Sequence, residues 1–209
     1  MKLTNLAAFT LLASATFNTW AQVDTNKIEE VIKTSMARFD VPGMAVAIVE
    51  NDEVVLAKGF GIANLNTKAE VNKDTLFGIA SNTKAFTSAA LAKLVDEGKL
   101  RWDDRVIDHL PEFRLYDSYV TREMRVRDLL SHRSGLGLGQ GDLMIWPSTD
   151  KSVSDILSGL KYLKPASSFR SKYAYNNLMF VTAGEVVARV SGISWNDYVE
   201  KHILQPLKM

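Results

Sequence analysis

Residues 44–61 constrain the fold most. MAVAIVE (44–50) and EVVLAKGFG (53–61) are rich in Val, Ile and Phe and are separated only by the turn pair Asn51-Asp52, so they read as an antiparallel hairpin. Before them, Asp24 can cap a helix from about Thr25 to Phe39, in which Ile28, Val31, Ile32, Met36 and Phe39 recur at three- and four-residue spacing as a core-facing stripe. Pro42-Gly43 breaks that helix. A helix followed by a hairpin predicts an α+β layer arrangement, and 209 residues that are 46% hydrophobic and 23% charged can build its core.

The rest of the chain reads as helices joined by loops. From Ser81, Phe86, Ala89, Ala90, Leu94 and Val95 line one face, and Gly98 ends the helix in a left-handed conformation. Trp102 to Asp104 and Leu110-Pro111 form a connector, and a short helix starts over Val126 to Leu130. Gly135, Gly137, Gly139 and Gly141 lack the spacing of a phosphate-cradling motif and are expected to form a flexible loop. Helices are predicted near Ser152 to Tyr162, over Leu178 to Val190 with a stop at Ser191-Gly192, and over Trp195 to Leu204.

Residues 1–21 set Lys2 ahead of an apolar run from Leu6 to Phe17 and end in small residues, the layout of a cleavable secretory signal. Cleavage is expected near Ala21 or at Ala13-Ser14-Ala15. The run is short for a bilayer span, which takes about 20 residues, so no transmembrane anchor is expected after signal removal. Of the 25 basic residues only Lys2 lies in this segment, which holds no acid, so the mature chain would carry 24 of each sign. That balance argues against a nucleic-acid partner. With no Cys, the chain has neither disulfides nor a thiolate metal site. A secreted or periplasmic protein is expected.

The chemistry centres on Ser81-Asn82-Thr83-Lys84. Positions three apart on a helix are neighbours, with Cβ atoms about 5–6 Å apart, so Ser81 and Lys84 can meet. A serine hydroxyl needs a base to become a nucleophile, and lysine is a base only when neutral, for which burial and the positive end of the helix dipole both push. The alternative is that Ser81 merely caps the helix. Tyr175 and Asn177, two apart in an extended segment, could both face a cleft, one carrying a proton and the other holding a carbonyl or Lys84. Otherwise, Tyr175 is a core aromatic and Asn177 a cap.

Taken together, the residues resemble the serine β-lactamase and penicillin-binding-protein superfamily, in particular its class C β-lactamase-like group. Ser81 to Lys84 matches S-x-x-K, Tyr175-Asn176-Asn177 matches Y-x-N, LLSHRSGL (129–136) is similar to the group's L-L-x-H-x-S-G-L stretch, and VPGMAVAIVENDEVVLAKGFGIAN resembles its opening hairpin. The resemblance implies an antiparallel sheet flanked by helices plus a helical subdomain. It also implies Ser81 as nucleophile, Lys84 as its base partner, Tyr175 as proton carrier and Asn177 as an orienting, substrate-binding amide. The reaction would be acyl transfer through an acyl-enzyme on a small ester, amide, lactam or peptide, with no metal and no cofactor. A non-catalytic ligand-binding relative or an inactive fragment is the alternative.

The group's third motif, H/K-x-G, is missing after Asn177. The expected organisation is therefore a signal over 1–21 and an incomplete hydrolase domain over 22–209, with the C-terminal strands absent; a natural short form is the alternative. His132 and Ser134 lack the glycine of a nucleophile elbow and read as structural. His109 and His202 have no ligand-spaced partner, and Asp103-Asp104 reads as a turn.

Overall fold

The computed structural model describes residues 23–147 and 149–209, so the expected signal segment lies outside the described residues. The chain divides into two units, Met1–Gly78 and Ile79–Met209.

In the first unit, α1 spans Thr25–Arg38, and Asp24 Oδ1 caps it by accepting from the backbone N–H groups of Asn26 and Lys27, each at 3.1 Å. β1 (Gly43–Glu50) and β2 (Glu53–Gly61) pair antiparallel. Glu50 opposes Glu53, and Asn51 and Asp52 both have positive φ, 51° and 65°. Two left-handed residues match the right-handed twist of the strands, and Asn and Asp tolerate that region best after Gly. The expected stripe on α1 is only partly covered: Ile32 is buried, while Val31 is 59% and Phe39 70% exposed. A sheet of two strands is too narrow to cover a full apolar face, and Phe39 lies past the last helical residue.

The second unit is helical among its described residues. α2 (Thr83–Asp96), α3 (Val106–His109), α4 (Ser118–Glu123), α5 (Val126–Leu130), α6 (Val153–Gly159), α7 (Leu178–Ser191) and α8 (Trp195–Val199) follow in order, and five residues of π-helix, Glu200–Leu204, extend the last. α7 touches α2, α3, α5, α6 and α8, and so forms the axis of the unit. Its buried residues Leu178, Met179, Thr182, Ala183, Val186 and Val187 repeat every four, a broad stripe that can meet several neighbours. Gly98 (φ 70°) and Gly192 (φ 78°) stop α2 and α7 in the left-handed region, as their positions predict.

The buried face of α2 differs from the predicted one. It consists of Thr87, Ala90, Leu91 and Leu94, whereas Ala89 is exposed and Phe86 and Val95 are half-buried. Thr87 can sit inside because its hydroxyl bonds back to the Thr83 carbonyl, which leaves its methyl group to pack.

One ion pair ties the loop that leads to Tyr175 onto the helical core. Asp128, on α5, accepts from Arg170 Nε at 2.9 Å, Arg170 Nη2 at 2.6 Å and the Arg125 backbone N–H at 2.9 Å. Asp128 is buried, and its carboxylate raises the Arg170 guanidinium further above its ordinary value. Because Asp128 is buried while Arg170 is part-exposed, Arg170→Ala is expected to lower the unfolding free energy by about 1–2 kcal/mol, read from urea denaturation, with Asp128→Asn/Arg170→Ala recovering part of the loss.

Candidate active site

Ser81 lies in a 3₁₀ turn, Ala80–Asn82, just ahead of α2, and the preceding Ala80 has φ +44°. A residue with a Cβ in that region is strained, and such strain persists only where surrounding structure enforces it. The turn bears on the alternative in which Ser81 merely caps the helix. The cap position of α2 falls on Asn82, no side chain there bonds the helix N–H groups, and Ser81 Oγ caps nothing. Its partners are instead Tyr175 Oη, which donates at 2.6 Å, and Lys84 Nζ, which donates at 3.2 Å.

Lys84, one turn along, has a second and shorter contact: Nζ donates to Asn177 Oδ1 at 2.6 Å. It also stands 4.7 Å from the Tyr175 ring centroid and 5.4 Å from that of Phe180, close enough for aromatic faces to attract the cation. The four residues singled out by spacing thus come together, although 93 positions separate Lys84 from Asn177. Asn177 does not cap α7 with its side chain.

Tyr175 and Asn177 point to the same side because the chain between them alternates, and Asn176 points the other way. Asn176 is fully buried and fixes the segment: its Nδ2 donates to the carbonyls of Gln140 (2.9 Å) and Gly137 (3.3 Å), and its Oδ1 accepts from Leu178 N–H at 3.1 Å. Gly139 N–H in turn donates to the Tyr175 carbonyl at 3.0 Å. The glycine loop, expected to be flexible, is therefore bonded to the tyrosine segment at Gly137, Gly139 and Gln140. The physical reason is the buried amide, which must find partners and finds them in backbone carbonyls.

Three further residues complete the surroundings. His132, buried with φ +55°, stacks on Tyr175 at 4.5 Å between centroids, and its Nδ1 accepts from the Asn176 backbone N–H at 3.1 Å. It is directed at Tyr175 and not at Ser81. Phe180, in the first turn of α7, lies 5.3 Å from the His132 ring. Asp142 Oδ2 accepts from Asn177 Nδ2 at 2.9 Å. None of these is legible from spacing; the glycine run that delivers Asp142 and the histidine of LLSHRSGL were the available signals.

The electrostatics follow from these contacts. The neighbouring Lys84 ammonium, and next the hydrogen bond shared with Ser81, hold the Tyr175 phenol below its ordinary range, against opposition from desolvation and from the Asp142 carboxylate. Burial, and secondarily Lys84, hold His132 below the usual histidine value. A cavity of about 690 Å³ opens on this group, lined among others by Ser81, Lys84, Asp142, Asn177, Phe180 and Trp195. A cavity of about 700 Å³ beside Tyr119 and Phe169 has no comparable pairing of a hydroxyl with a base.

Residues 28–209 match the Beta-lactamase family model. The chain is 34% identical over 189 residues to the unguisins hydrolase ungD' of Aspergillus campestris, covering 86% of this chain and 34% of that protein. It superposes on the octameric penicillin-binding protein homologue from Pyrococcus abyssi with a TM-score of 0.74 and 32% identity, covering 90% of this chain and 44% of that one. A class C β-lactamase gives a TM-score of 0.76 at 26% identity, covering 91% and 51%. The chain thus spans about a third of the curated relative's length and about half that of the solved structures. Its fold is β-lactamase/transpeptidase-like, with helices and a small antiparallel sheet.

The His132 environment has a consequence for stability. Its folded value is depressed, so below about pH 6.5 the unfolded chain takes up a proton that the native state refuses. Stability from neutral His132 is complete above that pH and falls as pH drops toward the folded value. His132→Phe, which keeps a ring on Tyr175, is expected to reduce the loss of urea midpoint between pH 7.5 and pH 5.

Proposed function

The chain belongs to the Beta-lactamase family, and on that premise we propose that it carries the nucleophile and proton-transfer groups of a serine hydrolase working by acyl transfer. One observation carries the reading. Ser81 Oγ is released from capping and bonded to two groups able to manage its proton, Tyr175 Oη at 2.6 Å and Lys84 Nζ at 3.2 Å.

We assign the base role, expected of Lys84, to Tyr175 in its phenolate form, on the ground that its contact with Ser81 Oγ is the shorter. With the Lys84 ammonium beside it favouring the phenolate, Tyr175 Oη takes the Ser81 proton as Oγ bonds to the substrate carbonyl carbon. The carbonyl electrons move onto oxygen, the tetrahedral intermediate collapses, and the bond to the leaving group breaks. The leaving group departs with the proton held by Tyr175. Water then attacks the Ser81 ester, giving its proton to Tyr175, and the acid is released as Ser81 regains its hydrogen. Lys84 stabilises negative charge on the phenolate throughout, and Asn177 holds Lys84.

The substrate class proposed is an ester, amide or lactam small enough to reach Ser81 through the cavity. The relative named as an unguisins hydrolase and the penicillin-binding and β-lactamase neighbours support a carbonyl substrate of this kind. Residues 1–21 are proposed to direct export to the periplasm or outside; among the described residues no helix is long and apolar enough to cross a membrane. Intact mass of the protein recovered from an exporting host should then lack about the first 21 residues, and recovery of the full chain in the cytosol would count against export.

Incubation with a fluorescent fluorophosphonate or penicillin is expected to label Ser81 covalently, with label absent from Ser81→Ala. The labelling rate should rise with pH as Tyr175 ionises, at a pH below that of an ordinary phenol near 10, and Tyr175→Phe should remove that limb and slow labelling by about 10²–10⁴. Reversible binding without an adduct would favour the non-catalytic alternative.

A further inference from the structure

Asn177 can hold Lys84 only with one end of its amide. The oxygen and nitrogen ends are nearly identical in shape, so packing does not choose between them. Lys84 offers donors alone and a carboxylate accepts alone. An amide placed between the two has a single orientation that satisfies both neighbours, with Oδ1 on Lys84 at 2.6 Å and Nδ2 on Asp142 at 2.9 Å.

We propose that Asp142 is the positioning residue that fixes the Asn177 amide with its oxygen toward Lys84, and thereby seats Lys84 against Ser81 and Tyr175. The proposal rests on the acyl-transfer reading of this site. Asp142 is well placed for it. The preceding Gly141 has φ +86°, a left-handed conformation that favours glycine, and it brings the loop against the Leu178 side chain at the start of α7. The Asp142 backbone is fixed as well: its N–H donates to the Gly139 carbonyl at 3.0 Å, and its carbonyl accepts from the Ile145 and Trp146 N–H groups at 2.9 and 2.8 Å.

Among the described residues, the carboxylate has Asn177 as its one side-chain hydrogen-bond partner. It makes no cap bond at the short 3₁₀ helix Asp142–Met144, and its second oxygen, Oδ1, is buried without a hydrogen-bond partner among the described residues. Sheltering a carboxylate oxygen from water without a partner is unfavourable. The carboxylate's one side-chain bond goes to the residue that holds Lys84, the contact that positioning requires.

The test compares the full chain with Asp142→Leu and Asp142→Asn. Three quantities are read: the pH dependence of Ser81 labelling by a fluorophosphonate, the Tyr175 ionisation by ultraviolet difference against Tyr175→Phe, and the urea midpoint. The charged and titratable groups facing Tyr175 are Lys84 in the first turn of α2, His132 after α5 and Asp142 itself; the Ser81 hydroxyl bonds it from the turn ahead of α2. In Asp142→Leu the new side chain cannot accept a hydrogen bond, so the amide is free to turn and Lys84 to leave. Labelling is expected to slow by about 100-fold, and the Tyr175 ionisation to move to higher pH. The urea midpoint should hold or rise. Loss of the Asp142 charge alone would move the ionisation to lower pH, since that charge opposes the phenolate. Asp142→Asn retains an acceptor oxygen and is expected to stay within about fivefold of the native labelling rate.

The proposal is overturned if Asp142→Leu labels at the native rate with Tyr175 unmoved, if both variants lose activity equally, or if the loss comes with a lowered urea midpoint. A native chain that takes no label overturns the acyl-transfer reading instead, and the Tyr175 titration still decides the role of Asp142.

Discussion

The contact between Lys84 and Asn177 is the constraint on which the site depends. It joins the first turn of α2 to the residue preceding α7, the two helices whose packing defines the second unit. At 2.6 Å, from an ammonium to an amide oxygen, it is short and charge-assisted. A first-turn lysine lies at the unfavourable end of its own helix dipole, and it stays there because Asn177 and two aromatic faces receive it. Everything around Ser81 follows from where that ammonium is held.

Behind it stands a layer of backbone order that carries no chemistry of its own. Asn176 draws the glycine loop against the tyrosine segment, His132 stacks on Tyr175, and the Asp128–Arg170 pair anchors the approach. Ala80 and His132 both take positive φ, a strain that costs on the order of 1–3 kcal/mol each. That strain is tolerated because the neighbouring hydrogen bonds leave these residues no alternative. Ala80 immediately precedes Ser81, whose Oγ meets Tyr175 and none of the helix N–H groups.

The elements were largely legible. Asp24, the Asn51-Asp52 pair, Gly98 and Gly192 fix the bounds of α1, the hairpin, α2 and α7, since caps and positive-φ turns are decided by one or two residues. The buried faces were less so: Val31 and Phe39 are exposed, and Thr87 and Leu91 replace Ala89 inside α2. Which apolar residues are covered depends on the width of the neighbouring surface, and that is not a property of a single helix.

For the site, the sequence by itself determined that Ser81 and Lys84 are neighbours and that Tyr175 and Asn177 share a side, because both follow from the local period of the backbone. Only the tertiary structure decided that these two pairs meet, that Ser81 Oγ is closer to Tyr175 than to Lys84, and that His132, Asn176 and Asp142 surround them. Those contacts span from tens of positions to more than ninety, and they form when burial of the α7 stripe brings distant segments together. No periodicity within one segment records that event.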